Sequence, residues 1–323
     1  MNEESHIDLR RLVGKKSNQT LSLNDQMQWA SSIYLQEPRF PSRSRHYKVI
    51  TDHAIQWDWL KWNNATSLLD ETPLGFQNEK NTKELELQEI LINLGCSDSL
   101  GSRVDFWLNS NQLLDRPVGE GSRNMYFRPA MTSSEFQDAF DTGLQQAKEE
   151  VNLGPFWTGV QLLNPASSVH AAIQLYIHAG VSLNESLKNL IHPDLLESVV
   201  YMADKSFRRH PMSFDPITSI TFFGGYDLAF AVGFVCGMAQ ESRFCLLGGL
   251  QGYAIALLAE TIQTGSSQFV THLNAAPKEW KDENQEAFEG PFVFSISSYK
   301  VSNIQFILAL EHLNEFLIQS NTK

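Results

Sequence analysis

Asp227-Leu-Ala-Phe-Ala-Val-Gly-Phe-Val-Cys-Gly-Met-Ala-Gln240, then Glu241-Ser-Arg243, Phe244-Cys-Leu-Leu247, Gly248-Gly249 and Leu250-Gln-Gly-Tyr-Ala-Ile-Ala-Leu-Leu-Ala259 is the stretch that decides the fold. Its first piece is apolar all round, as a helix buried on every side must be. Phe244–Leu247 has the length of a buried strand, and the two glycines after it permit a tight turn into a second apolar helix reaching about Thr264. Leu228 to Ile262 is the most apolar region of the chain. Gln240-Glu241-Ser242-Arg243 cuts it into pieces too short to cross a bilayer, so it reads as core.

Upstream, the same alternation repeats. Thr132-Ser-Ser-Glu135 forms a capping box ahead of Phe136, Phe140, Leu144 and Ala147, which predicts a helix over 133–150. Phe156–Gln161 reads as strand, 167–179 as a helix stopped by Gly180, and Pro193 as the first-turn proline of a helix to about Arg208. Tyr47–Thr51 and Arg103–Leu108 are β-prone, and Glu71 to Lys83 reads as exposed loop. Ser302-x-x-Gln305, with Ile304, Ile307, Leu310, Leu313 and Leu317, predicts a terminal amphipathic helix that must dock. Alternating strands and helices imply an α/β protein with a Rossmann-like parallel sheet, helices on both faces, and ligands beyond the carboxyl ends of the strands. We expect a large domain over 45–268 and a small helical domain from 1–44 and 269–323, after a leading segment closed by Pro38, Pro41 and Arg43-Ser44-Arg45.

The 323 residues are 42% hydrophobic, enough for a sizeable core. Lysine plus arginine total 25 against 37 acids, and the net charge of −12 opposes binding to nucleic acid or anionic membranes. Cys96, Cys236 and Cys245 lack CxxC spacing and read as reduced and buried, in a cytoplasm. The acidic start Met1-Asn-Glu-Glu-Ser does not have the form of a signal peptide.

Gly224-Gly225-Tyr226-Asp227 stands before a long helix. It is either a site where backbone and helix terminus meet an anion, or a tight turn with an acid favoured by the helix dipole. Gly248-Gly249-x-x-Gly252 lacks the dinucleotide order and suits close helix–strand packing. Asp52-His53 follows a strand as an acid and imidazole facing a possible pocket, or as a structural hydrogen-bonded pair, the reading favoured. His170 and His178, eight apart on one helix, do not have zincin spacing, so no metal is expected. Lys148-Glu149-Glu150 reads as a solvated helix end.

Phe223–Gly233 and Leu246–Ala259 together resemble the GGF-(D/E)-(I/L) helix and LLDGF strand–turn–helix of the nicotinate-nucleotide:base phosphoribosyltransferases of cobamide synthesis. Asn124-Met-Tyr-Phe-Arg-Pro-Ala-Met-Thr132 resembles that family's N-x-x-x-G-P-A-M-(S/T), and Val49-Ile-Thr-Asp-His-Ala-Ile55 its A-D-H-G-V strand end. The resemblance implies transfer of phosphoribose from nicotinate mononucleotide to an aromatic base, with no cofactor, using a carboxylate base, a glycine-rich phosphate loop and a lysine. The family's R-L-G-E-G-(S/T)-G falls on Ile296–Ser302, placing Tyr299 at the catalytic glutamate, and a phenol is a poor base at neutral pH. The loop G-E-(L/M)-G-x-(A/G)-N-T-T falls on Gly159–Ser167, so Val160, Leu162 and Ala166 replace an acid, a glycine and a threonine. The phosphate lysine falls at Ser198 and the LLDGF aspartate at Gly248. Gly159, Val160, Leu162, Ser167, Ser198, Gly224, Gly225, Tyr226 and Gly248 would then outline a degenerate nucleotide site.

One branch of the family, which activates phenol and p-cresol, resembles a heterodimer of paralogues. The expectation is therefore a catalytically incompetent subunit that shapes the site of a catalytic paralogue. Two alternatives stand beside it. One is an active enzyme with a new base at Asp227 or Glu311 and a phosphate site at Arg123 or Lys300; the other is a regulatory module that holds ligand without turnover.

Overall fold

The computed structural model describes residues 22–28, 45–61, 88–96, 112–153, 157–210, 213–277, 280, 292–294, 305–306, 308–310 and 313. Its strands are β1 (Arg45–Thr51), β2 (Gln88–Gly95), β3 (Leu113–Asp115), β4 (Trp157–Leu162), β5 (Phe244–Leu247), β6 (Val270–Asn274) and β7 (Phe292–Phe294). They form one sheet in the order β3-β2-β1-β4-β5-β6-β7, with every neighbouring pair parallel. The chain leaves β1 towards β2 on one side and later returns to β4 on the other. The order therefore reverses between β1 and β4, where side chains from two loops can face one crevice.

The helices are α1 (Ala54–Asp58), α2 (Ser133–Leu153), α3 (Pro165–Ala179), α4 (Leu183–Leu187), α5 (Pro193–Arg209), α6 (Pro216–Phe223), α7 (Tyr226–Gln240) and α8 (Gly249–Ile262). α7 is buried from Tyr226 to Ala239, as its unbroken apolarity requires. It packs directly on α2. A Cβ at Gly143 would lie 2.1 Å from the Phe230 carbonyl oxygen, and one at Gly233 2.2 Å from that of Phe140, so the two backbones approach where each helix lacks a side chain. Asn164 caps α3 by accepting from Ala166 N, Pro165 opens it, and Gly180 closes it in the left-handed region at φ 68°.

The α/β reading and the strand at Phe244–Leu247 match the structure, and most helices begin or end within a few residues of the expected limits. β2, β3 and β6 are additions that periodicity did not reveal. β6 and β7 lie beyond residue 268, the expected end of the large domain, and belong to the same sheet. Near the amino terminus, Gln26 donates to the carbonyls of Gln268 and Val270 at 2.8 and 3.2 Å, while Thr271 donates to its Oε1 at 2.5 Å. Leu310 and Leu313 bury against the same side with Met27 and Phe306. Arg103–Leu108, Glu71–Lys83, Tyr299, Lys300 and Glu311 lie outside the described residues. No helix among the described residues is long and apolar enough to cross a membrane.

The solvated end expected at Lys148-Glu149-Glu150 requires correction. Lys148 and Glu149 are exposed, but Glu150 is fully buried beneath the sheet. It accepts from Tyr47 Oη at 2.6 Å and Arg45 Nη1 at 3.0 Å, two side chains that alternate onto one face of β1, and from Thr158 Oγ1 at 3.4 Å. Burial pushes its carboxyl up, and these partners pull it back only in part. Of the cysteines expected to be buried, Cys236 and Cys245 are, whereas Cys96, just past β2, is half-buried.

Candidate functional site

The crevice between β1 and β4 is floored by a closed polar cluster. His53 follows β1 and is fully buried, with Nε2 3.2 Å from Asp227 Oδ2 and Nδ1 2.6 Å from Ser122 Oγ. Asp227 sits in the first turn of α7, equally buried. Its carboxylate also accepts from Ser167 Oγ, in a short contact, and from Leu228 N at 2.8 Å. Desolvation opposes its ionisation, but the neighbouring His53 and the hydrogen bonds from His53 and Ser167 outweigh it, holding the carboxyl below its ordinary value. The anion at this helix terminus is thus a residue of the chain itself, placed where the helix dipole favours it.

Gly225 makes the arrangement possible. A Cβ there would stand 2.2 Å from His53 Cε1 and 2.7 Å from Asp227 Oδ1, so any larger residue would drive the pair apart. Gly224 serves packing: a Cβ would lie 2.6 Å from the Ile220 carbonyl. Tyr226 is buried and donates to Glu135 Oε1 at 3.2 Å.

Asp52 and His53 do not bond to each other through their side chains; each has separate partners. Asp52 Oδ1 accepts from Gln56 Nε2 at 3.0 Å, and Gln56 Oε1 accepts from Asn164 Nδ2 in a short contact. Asn164 Nδ2 also donates to the Thr51 carbonyl at 2.8 Å, joining the ends of β1 and β4. His170 lies beside His53, ring centroids 4.7 Å apart, and its Nδ1 is 2.7 Å from the Phe223 carbonyl. Complete burial lowers its pKa to about 3. His178, on the same helix, is half-buried and bonds Ser219 Oγ at 2.8 Å.

Above this floor a cleft of about 700 Å³ opens past the carboxyl ends of β4 and β5. Leu163, Leu190, Ile191 and Leu195 line it half-buried, with Phe306 and Ile255 beside them. Polar groups come from Gln161, Asn164, Ser168, Asn189 and Gln251, with Gln251 Nε2 donating to Ser168 Oγ at 3.2 Å. Among the described lining residues there is no carboxylate. Lys188 brings a positive charge and donates to Glu185 in a short contact, and His192 Nδ1 is 3.6 Å from Asp194. Such a wall can hold an uncharged, flat ligand.

The residues singled out in the sequence fall in different places. Val160, Leu162 and Gly248 border the cleft; Val160 and Leu162 are 2% and 3% exposed and belong to the core with Val49 and Ile92. Gly159 faces Phe306: a Cβ would meet that ring at 3.0 Å and His46 at 3.2 Å, and the two rings stack at 4.4 Å. Gly248 precedes Gly249, which turns into α8 at φ 62°, and Gly252 packs on Leu247, where a Cβ would lie at 3.0 Å. Ser167, Gly225 and Asp227 are gathered with Asp52 and His53 into the floor. Ser198 lies on an exposed face of α5, whereas Lys188 reaches the cleft from the loop before that helix. Arg123 grips Glu135 through two bonds of 2.6 and 2.7 Å. Sequence reasoning missed Asn164, although Asn-Pro ahead of an apolar helical run is a start signal; nothing local marks Ser122 or Lys188.

Comparison with known proteins sets this site in context. A family model described as Phosphoribosyltransferase matches residues 86–278, more than half of the chain. Curated relatives named nicotinate-nucleotide–dimethylbenzimidazole phosphoribosyltransferase include one from Clostridium perfringens, 24% identical over 172 residues that cover 51% of this chain and 48% of the relative. Another, from Ralstonia nicotianae, is 23% identical over 182 residues, covering 55% and 50%. The chain spans about half the length of the curated relatives it matches. Among solved structures, CobT from Thermus thermophilus aligns with a TM-score of 0.69 over 95% of this chain and 94% of that one; at 15% identity, this is a likeness of fold. With the family model matched across most of the sheet and the cleft beside it, this chain belongs to the phosphoribosyltransferase family, whose curated relatives carry the nicotinate-nucleotide–dimethylbenzimidazole name.

Proposed function

We propose that this chain is the non-catalytic subunit of a nicotinate mononucleotide:aromatic-base phosphoribosyltransferase of cobamide lower-ligand activation, paired with a catalytic paralogue and shaping its site. The observation that carries this reading is the cleft wall. Among the described residues the cleft wall presents Leu163, Leu190, Ile191 and Leu195 and the nearby lysine is engaged with Glu185, while by the resemblance the family's catalytic glutamate falls on Tyr299, outside the described residues. Phosphoribosyl transfer needs a base at the nucleophile and fixed positive charge or N–H dipoles on the phosphate, and an aliphatic wall supplies neither. The floor beneath it keeps its network around His53 and Asp227, which supports a chain preserved for its shape. In this reading the acceptor is phenol, p-cresol or a benzimidazole, and segments from both termini form a small helical domain around the sheet.

The test is phosphoribosyl transfer to phenol and to dimethylbenzimidazole by this chain alone and with the co-expressed paralogue that bears the intact R-L-G-E-G segment. Activity only in the pair is expected. Robust turnover by the isolated chain would overturn the proposal. A second reading, a module that holds an aromatic ligand without turnover, is favoured by the cleft's volume of about 700 Å³ and its apolar lining. Calorimetry of the isolated chain with nicotinate mononucleotide and with the free bases separates the two, because tight binding without reaction supports the module.

A further inference from the structure

Phe306, from the carboxyl-terminal region, is only 1% exposed, yet it borders the cleft of about 700 Å³. Two residues of the sheet hold its ring. It stacks on the His46 imidazole, centroids 4.4 Å apart and planes 19° from parallel. It also fills a gap that exists because residue 159 has no side chain: a Cβ there would lie 3.0 Å from the Phe306 ring and 3.2 Å from His46. His46 and Gly159 are partners in the β1–β4 register, so imidazole and glycine lie side by side on one rung of the sheet.

The surroundings of this rung leave the ring little freedom. Side chains alternate along β1, which puts Lys48 on the same face as His46. The buried Lys48 ammonium pairs with Glu89 at 2.7 Å, and His46 Nδ1 lies 3.7 Å from the same carboxylate oxygen. Met27, Trp157, Leu310 and Leu313 share one buried cluster with Phe306. Close packing of this kind fixes a rotamer. The other apolar groups of the cleft differ, because Leu163, Leu190, Ile191 and Leu195 are half-buried and can turn towards water to make room. A wall that yields accommodates ligands of several sizes; a clamped ring rejects those that overlap it.

We propose that Phe306 is the specificity-determining residue of the cleft, its clamped ring setting how large a flat aromatic ligand can seat against β4. This deepens the reading of the cleft as the place of an uncharged aromatic ring, and rests on it. A residue that limits size changes the ratio of affinities between small and large ligands. One that only supports the fold weakens all of them alike.

The experiment measures binding of phenol, p-cresol and dimethylbenzimidazole to the full chain by calorimetry, for wild type, Phe306→Leu, Phe306→Ala and Gly159→Ala, with a thermal midpoint for each variant. Both Phe306 variants should raise the affinity for dimethylbenzimidazole relative to phenol, by about tenfold for the alanine and less for the leucine. Gly159→Ala should shift the ratio the other way, since its Cβ obliges the ring to give by a few tenths of an ångström and the unpacked side is the cleft. Where Phe306→Ala does not fold, the opposed shifts of Phe306→Leu and Gly159→Ala decide the question. An unchanged ratio, equal weakening of all three ligands, or shifts of the same sign in Phe306→Leu and Gly159→Ala overturns the role of Phe306, while the cleft reading stands. A wild-type chain that binds none of the three ligands overturns both.

Discussion

Two regions meet at the loop from Leu162 to Ser168. On its inner side, Asn164 and Ser167 enter a fully buried network with Asp52, His53, Gln56 and Asp227, where side chains from the turn after β1 and from α1, α3 and α7 meet each other's donors and acceptors. On its outer side, Leu163 joins Leu190, Ile191 and Leu195 around a cleft of about 700 Å³, with no carboxylate among the described lining residues. Different constraints act on the two sides. A buried polar group that loses its partner retains the whole desolvation penalty, so the floor resists change residue by residue. An open wall beside water has no such coupling, and its chemistry can be replaced by aliphatic side chains while the sheet remains intact.

Substitutions on each side put that contrast to the test. Asp227→Ala leaves His53 and Ser167 without their acceptor in a site closed to water. We expect a loss of about 3 to 5 kcal/mol in urea unfolding; a loss below about 1 kcal/mol would mean that the floor is not the rigid element described. Gly225→Ala forces a Cβ to within 2.2 Å of His53 Cε1 and should cost about 2 to 3 kcal/mol, with a displaced His53 ring in NMR spectra.

His170 supplies a pH signature. Its ordinary pKa is 6.5, and burial brings it to about 3, so below 6.5 the unfolded chain takes up a proton that the folded chain refuses. Stability is therefore fully present above 6.5 and is lost as the pH falls towards 3. Between pH 7 and 5 the loss is on the order of 2 kcal/mol from this group. His170→Asn, which retains a donor for the Phe223 carbonyl, should flatten this part of the profile; an unchanged slope between pH 7 and 5 would contradict it. The smallest effects belong to the wall: Leu163→Ser and Leu190→Ser should each cost under about 1 kcal/mol, because both residues are already half in water. If they cost as much as the floor substitutions, the two regions are not distinct.

How much of this was legible beforehand varied with the range of the interaction. α7, β5 and α8 were readable because buried elements carry unbroken apolar runs and glycine marks their turns. β3 has only three residues, and β6, Val-Thr-His-Leu-Asn, mixes polar with apolar side chains, so neither has a periodic signature; the sheet recruits them by pairing with neighbours. Glu150 reads as solvated beside Lys148 and Glu149, yet Arg45 and Tyr47, more than a hundred residues away, draw it inside. In the candidate site, Asp227 was visible as a helix-start acid and His53 as a strand-end imidazole. Their pairing across 174 positions was not.

The α/β alternation, the buried helices and the acidic character of the chain were therefore set by the order of residues alone, since hydrophobic period, turn residues and charge are properties of near neighbours. The assembled fold was needed to part Asp52 and His53 to separate partners, to make Gly225 the space for an imidazole, and to bring Lys188 instead of Ser198 to the cleft. Those outcomes depend on which strand ends the parallel order β1-β4-β5 brings side by side, and on what volume is left between them.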